Sequence, residues 1–242
     1  MKEEKQAAKT FLDDLTTHLN EKLPDWQQIS REVPSIVLEA KGRDDWKHKR
    51  TPEDAFLHHY AIPIVFDLLC QTNALGEDGA KSSLLSEFYR NMPEMCSGSP
   101  ARAMKYGNPF GKLFTSSNEI MDRWQGLKGG ARLNQPCPDF ALRSPFAHRI
   151  LFEGKYFPRG GRTAGEKHLV ETSYQAFFYR AQPPAEENSS GIPWDYDYAC
   201  LLACDTSPEG GLASAWSSLR EDVKDGFWNG ANVFVMILRP GA

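Results

Sequence analysis

Asp139, Glu153 and Lys155 are the residues of this chain whose types and spacing could do chemistry, in the order Pro138-Asp139, thirteen intervening residues, then Glu153-Gly154-Lys155. Two carboxylates brought face to face raise one another's pKa unless a cation lies between them. Oxygen ligands that leave room for water are what Mg²⁺ prefers. An ion held there would polarise a phosphodiester oxygen, help ionise an attacking water and stabilise the departing 3′ oxygen. The Lys155 ammonium would orient that water or stabilise charge in the transition state. Together these groups make phosphoryl-transfer equipment, provided the chain brings them together.

The surrounding pattern predicts that it does. Asp139 to Leu142 and Arg149 to Phe157 are rich in apolar and aromatic residues, and a turn-like Ser144-Pro145-Phe146-Ala147-His148 separates them. A hairpin turning about Phe146 pairs residues whose numbers sum to 292, which sets Asp139 against Glu153, Phe140 against Phe152 and Leu142 against Ile150. Alternate residues share a face. Asp139, Glu153 and Lys155 then project from one side of the hairpin, and Phe140, Phe152, Leu142 and Ile150 from the other.

The motif resembles that of the PD-(D/E)XK nuclease superfamily, which includes type II restriction endonucleases and many repair and recombination nucleases. The similarity runs over about 117 to 238, half the chain. Its expected core order is helix, three-stranded meander, helix, strand. The resemblance implies that Asp139 and Glu153 are metal ligands, that the Gly154 carbonyl is a further ligand, and that Lys155 is the catalytic lysine. It also brings in Gln175, because a Gln175-x-x-x-Tyr179 helix after the lysine strand is similar to the RecB-related branch, where the glutamine supports the site or contacts DNA. Family members often take another acid from the helix before the meander. Glu119 is the best-placed candidate and Glu53 the runner-up, although either also reads as an ordinary acid at a helix N-terminus.

Charge is unevenly distributed around the motif. From Arg143 to His168 six Lys/Arg residues stand against two acids, whereas from Pro183 onward three basic residues stand against nine acidic ones. Arg143, Arg149, Arg159, Arg162 and Lys167 are therefore the candidates for contact with DNA phosphates, which would make binding salt-sensitive. The second basic stretch, Lys41 to Arg50 (KGRDDWKHKR), reads as a solvated loop. His18, His58, His59 and His168 lack partners at metal-ligand spacing and read as packing or surface residues.

The remaining elements frame the hairpin. Apolar residues at helical spacing predict an amphipathic helix over 3–22 that ends before Pro24, and Thr51-Pro52-Glu53 opens a second helix running to about Gln71. Helical patterns follow at 79–91 and 117–127, around an irregular proline- and glycine-containing stretch at 93–112. After the hairpin comes a glycine-rich basic loop, Pro158 to Arg162. A helix over 164–182 follows it, with Val170, Tyr174, Phe177, Phe178 and Ala181 on one face. A strand at 196–205, a helix at 212–224 and an apolar strand at 232–238 complete a β-α-β unit.

The 242 residues, 40% of them hydrophobic, suffice for one catalytic domain with an N-terminal addition. The charged start and the absence of any long apolar run predict a soluble, cytoplasmic protein without a membrane segment. Five scattered cysteines suggest neither disulfides nor a cysteine zinc site. No G-x-x-x-x-G-K-[ST] or G-x-S-x-G motif occurs, which argues against ATP-driven translocation and a serine hydrolase.

The expected fold is α/β, a restriction endonuclease-like mixed central sheet flanked by helices. A mostly helical region at 1–112, serving DNA recognition or dimerisation, would precede a catalytic core at 113–242. The expected function is Mg²⁺-dependent hydrolysis of double-stranded DNA, foremost by a site-specific restriction endonuclease acting as a homodimer. A repair or recombination nuclease that recognises ends or structure is the alternative within the same chemistry. A DNA-binding module that does not cut is the alternative outside it.

Overall fold

The computed structural model describes residues 2–43, 49, 51–72, 84–86, 139–143, 148–181 and 197–242. Helix α1 (Lys2–Lys22) buries Ala8, Phe11, Leu12, Leu15 and Leu19, the stripe its sequence spacing predicts. Helix α2 (Trp26–Lys41) follows at once. Its interior Pro34 counts against a helix, since proline removes a backbone donor. Two features offset that loss: Asp25 accepts the Gln28 N–H at the N-terminus, and Ile29, Val33, Ile36 and Val37 are buried.

Thr51 accepts the Asp54 N–H at 3.0 Å and starts α3 (Pro52–Phe56), as its cap-proline-acid sequence predicts. The chain then makes a π-helical turn (Leu57–Ala61) and continues as α4 (Ile62–Thr72). Such turns insert an extra residue per turn and recur at functional sites. Within the span expected to be helical at 79–91, the described residues form a strand, β1 (Leu84–Ser86).

β1 and the strands β2 (Phe140–Arg143), β3 (Arg149–Phe157), β4 (Tyr198–Asp205) and β5 (Val233–Leu238) form one mixed sheet in the order β1-β2-β3-β4-β5. The first two pairings are antiparallel and the last two parallel. The β2–β3 register is the one the sum of 292 predicts: Phe140 faces Phe152 and Leu142 faces Ile150. The Phe140 and Phe152 rings stack at 4.4 Å, fully buried, a pairing that adds about 0.5–1.5 kcal/mol beyond area burial. β4 is buried along its whole length, as befits a central parallel strand.

The two faces of β3 are covered by different helices. On the face of Phe152, Gly154 and Tyr156, α3 packs through Phe56, whose ring stacks on Tyr156 at 6.1 Å, and the π-helical turn packs through Leu57. On the face of Phe157 lies α5 (Arg162–Ala181), whose His168 ring is 5.2 Å from Phe157. Side chains from Ala8 to Leu238 belong to one hydrophobic core. The N-terminal helices and β1 are thus part of the same packed body as the sheet.

The inward face of α5 is not the aromatic one expected from the sequence. Val170, Tyr174 and Phe177 are 71%, 64% and 47% exposed, whereas Gly165, Leu169, Thr172, Ser173 and Ala176 are buried. The reason is close backbone contact: a Cβ on Gly165 would stand 2.2 Å from the Gly211 carbonyl oxygen. Small residues therefore occupy the seam and large ones turn outward. The helix expected over 212–224 is two, α6 (Gly211–Ser217) and α7 (Glu221–Ala231), joined by a turn at 218–220.

Candidate metal centre

The centre draws its members from three places: the residue before β2, β3 and α3. β2 begins at Phe140, opposite Phe152, so β3 runs on past it. At this point the Asp139 N–H donates to the Phe152 carbonyl at 3.1 Å, and the Gly154 N–H donates to Asp139 Oδ2 at 2.6 Å. The Asp139 carboxylate thus takes the place of a ladder carbonyl and is pinned beside β3. N–H and C=O of one strand residue point the same way, so the Gly154 carbonyl lies on the edge that faces Asp139.

Glu153 and Lys155 share a face of β3 and are only 4% and 8% exposed. The Lys155 ammonium donates to Glu153 Oε1 at 2.6 Å and to Glu53 Oε1 at 3.0 Å. Glu53 comes from the first turn of α3, a hundred residues earlier in the chain. It reaches the lysine because Leu57 docks over Gly154: a Cβ there would stand 2.4 Å from Leu57 Cδ1, so only glycine admits the helix this close. Glu53, Asp139 and Glu153 each offer a carboxylate oxygen, all within 4.8 Å of one another.

The electrostatics are those of crowded anions. Burial, followed by repulsion from Glu153 and Glu53, raises Asp139 well above the ordinary carboxylate range, against the pull of Lys155 and the Gly154 N–H. Burial also raises Glu53, with Lys155 opposing. For Lys155, burial alone would lower the pKa, but Glu153, Glu53 and Asp139 together outweigh it and raise the value. Ionised, the three carboxylates and one ammonium carry a net charge of −2 in a largely enclosed space. A divalent cation is the complement of that charge.

Asp205 is a buried carboxylate of a different kind. It accepts the Ser207 N–H and hydroxyl at 3.0 and 2.6 Å and the Ala213 N–H at 2.9 Å, and Arg239 lies 3.5 Å away. Its bonding capacity is spent on holding the β4–α6 loop.

The other predicted residues are distributed more widely. Gln175 is exposed on α5, and the polar stripe beside it carries an open Lys167–Glu171 pair at 3.9 Å. Glu119 lies outside the described residues, as do the helix expected at 117–127, Pro138, and most of the segments 79–91 and 41–50. The basic residues fall into two groups. Arg159, Arg162 and Lys167 follow the carboxyl end of β3, close in sequence to Lys155, and Arg162 pairs with Glu166 at 2.8 Å. Arg143 and Arg149 face each other at the opposite end of the hairpin, six strand residues or roughly 20 Å from Lys155. Arg149 is also tied to Asp197, whose carboxylate accepts its backbone N–H at 2.8 Å.

Glu53 stands out in the sequence only as a runner-up. Its local signal, an acid in a capped first turn, is common, and nothing near it announces contact with residues a hundred positions away. Among the described residues, no helix is long and apolar enough to cross a membrane, and Cys70, Cys200 and Cys204 are free thiols. No protein-family model, no characterised protein and no solved structure matches this chain.

Proposed function

We propose that the protein is a Mg²⁺-dependent nuclease of the PD-(D/E)XK kind that hydrolyses DNA phosphodiester bonds, foremost as a site-specific restriction endonuclease. The observation that carries this reading is the convergence of Glu53, Asp139, Glu153 and Lys155, from two distant parts of the chain, into one centre of three carboxylates and an ammonium.

In this reading Asp139, Glu153 and Glu53 hold the ion, with the Gly154 carbonyl on the same edge as a further oxygen. The ion would supply Lewis acidity at the scissile phosphate and a more acidic water. The chain's own groups do the rest. The Gly154 N–H fixes the Asp139 carboxylate, so that this ligand is aimed before anything binds. Lys155, held charged by its acidic neighbours, offers an ammonium to the attacking water or to the charge that grows on the phosphoryl oxygens. Arg159 and Arg162, exposed beyond the end of β3, neutralise flanking phosphates.

The test is digestion of heterogeneous genomic DNA with purified protein and Mg²⁺, followed by sequencing of the ends. Discrete fragments with a common end sequence are expected, lost on chelation and in Lys155→Ala with binding retained. Progressive degradation from ends would move the assignment to a repair nuclease. Binding without any cutting of plasmid, linear or branched DNA would overturn the enzyme reading.

A further inference from the structure

His168 lies in the second turn of α5, where it faces the sheet. Its ring packs against Phe157 at 5.2 Å. Phe157 and Lys155 project from the same face of β3, so the Lys155 side chain leaves the strand on the side that His168 covers, before its ammonium reaches Glu153 and Glu53. The Nε2 atom is enclosed and makes no hydrogen bond to a described residue. Burial, and then the charge of Lys155, hold the imidazole below its ordinary pKa, with Glu171 pulling the other way. A neutral imidazole carries one nitrogen that can accept. Lys155, for its part, directs two of its three ammonium hydrogens at Glu153 and Glu53, the carboxylates that the metal reading needs as ligands.

We infer that His168 is a positioning residue for Lys155: Nε2 accepts an ammonium hydrogen when Glu53 and Glu153 turn to a bound divalent ion, and so keeps Nζ beside the metal centre. This rests on the metal-dependent reading above. It does not require that His168 touch DNA, and the enclosure of Nε2 agrees with that.

The test has two arms on full-length protein. In the first, histidine-labelled (¹⁵N) protein is titrated with Mg²⁺ alone, and the side-chain nitrogens of His168, assigned by their loss in His168→Asn, are followed by NMR beside a thermal-shift titration. Expected is a displacement of Nε2 toward the position of a hydrogen-bonded acceptor, saturating with the thermal shift. A thermal shift without movement of Nε2 overturns the inference and leaves the metal site intact. No thermal shift and no cleavage overturn the metal reading itself, and the inference with it. In the second arm, His168→Ala should lower kcat roughly 10-fold with KM within about twofold, and His168→Gln, which keeps an acceptor, should recover most of the loss. Wild-type kcat in a His168→Ala protein that melts as wild type does, or equal loss in Ala and Gln variants, refutes the positioning role.

Discussion

Replacing Lys155 by methionine removes the ammonium that stands 2.6 Å from Glu153 and 3.0 Å from Glu53 while keeping a side chain of similar length. Three carboxylates are then left around one enclosed point, and the ionised centre goes from a charge of −2 to −3. Stranding a buried charge by removal of its partner costs about 3–5 kcal/mol. Part of that cost is avoided because Glu53, only half buried, can turn outward or take up a proton, so the expected loss at neutral pH is about 2–4 kcal/mol. At about 2–4 °C per kcal/mol for a chain of this size, the thermal midpoint should fall by roughly 4–16 °C. The sign of the metal effect follows from the same charges. Mg²⁺ should restore more stability to Lys155→Met than it adds to wild type, and about 2.7 kcal/mol is available at a concentration a hundred times the dissociation constant. Melting curves of both proteins, with and without Mg²⁺, measure all of this. A variant within about 0.5 kcal/mol of wild type, and no more responsive to Mg²⁺, would refute the claim that the ammonium holds mutually repelling carboxylates together.

The remaining predictions probe the other contacts. Asp139 and Glu53 have folded pKa values raised above their unfolded ones, near about 3.9 and 4.3. Their contribution to stability is therefore full below those values and is lost as pH rises through the folded values. Asp139→Asn should accordingly stabilise the metal-free protein relative to wild type at neutral pH, an advantage that shrinks toward about pH 4. A constant difference across that range in denaturant melts would contradict it. Gly154→Ala should cost about 1–3 kcal/mol, because its new methyl group meets the buried Leu57 side chain. It should also weaken Mg²⁺ binding by pushing α3 and Glu53 away, which calorimetry would detect. Arg159→Ala and Arg162→Ala should each reduce DNA affinity and flatten its salt dependence, whereas Arg149→Ala, at the other end of the hairpin and tied to Asp197, should do less. Binding isotherms at several salt concentrations separate the two groups.

What could be read from the chain alone is what depends on neighbours in sequence. The β2–β3 register followed from alternation and a short turn, since a slip by one residue would send Phe140 and Phe152 to the wrong face. The α3 start followed from a three-residue cap signal, and the final parallel strands from apolar runs between turn residues. Those rules placed Glu153 and Lys155 on one face and brought Asp139 to the start of the hairpin, but the expected Asp139–Glu153 pair does not form: the Asp139 carboxylate lies on the edge of β3, where it accepts the Gly154 N–H. Tertiary structure decided the rest. The inward face of α5 was chosen by backbone contact between Gly165 and Gly211, which outweighed the greater apolar surface of Val170, Tyr174 and Phe177. Glu53 joined the centre because Gly154 lets Leu57 settle on the sheet, a fit between surfaces that no local pattern encodes. The sequence specified the acidic and basic groups of one strand pair, and packing between distant segments supplied the third carboxylate.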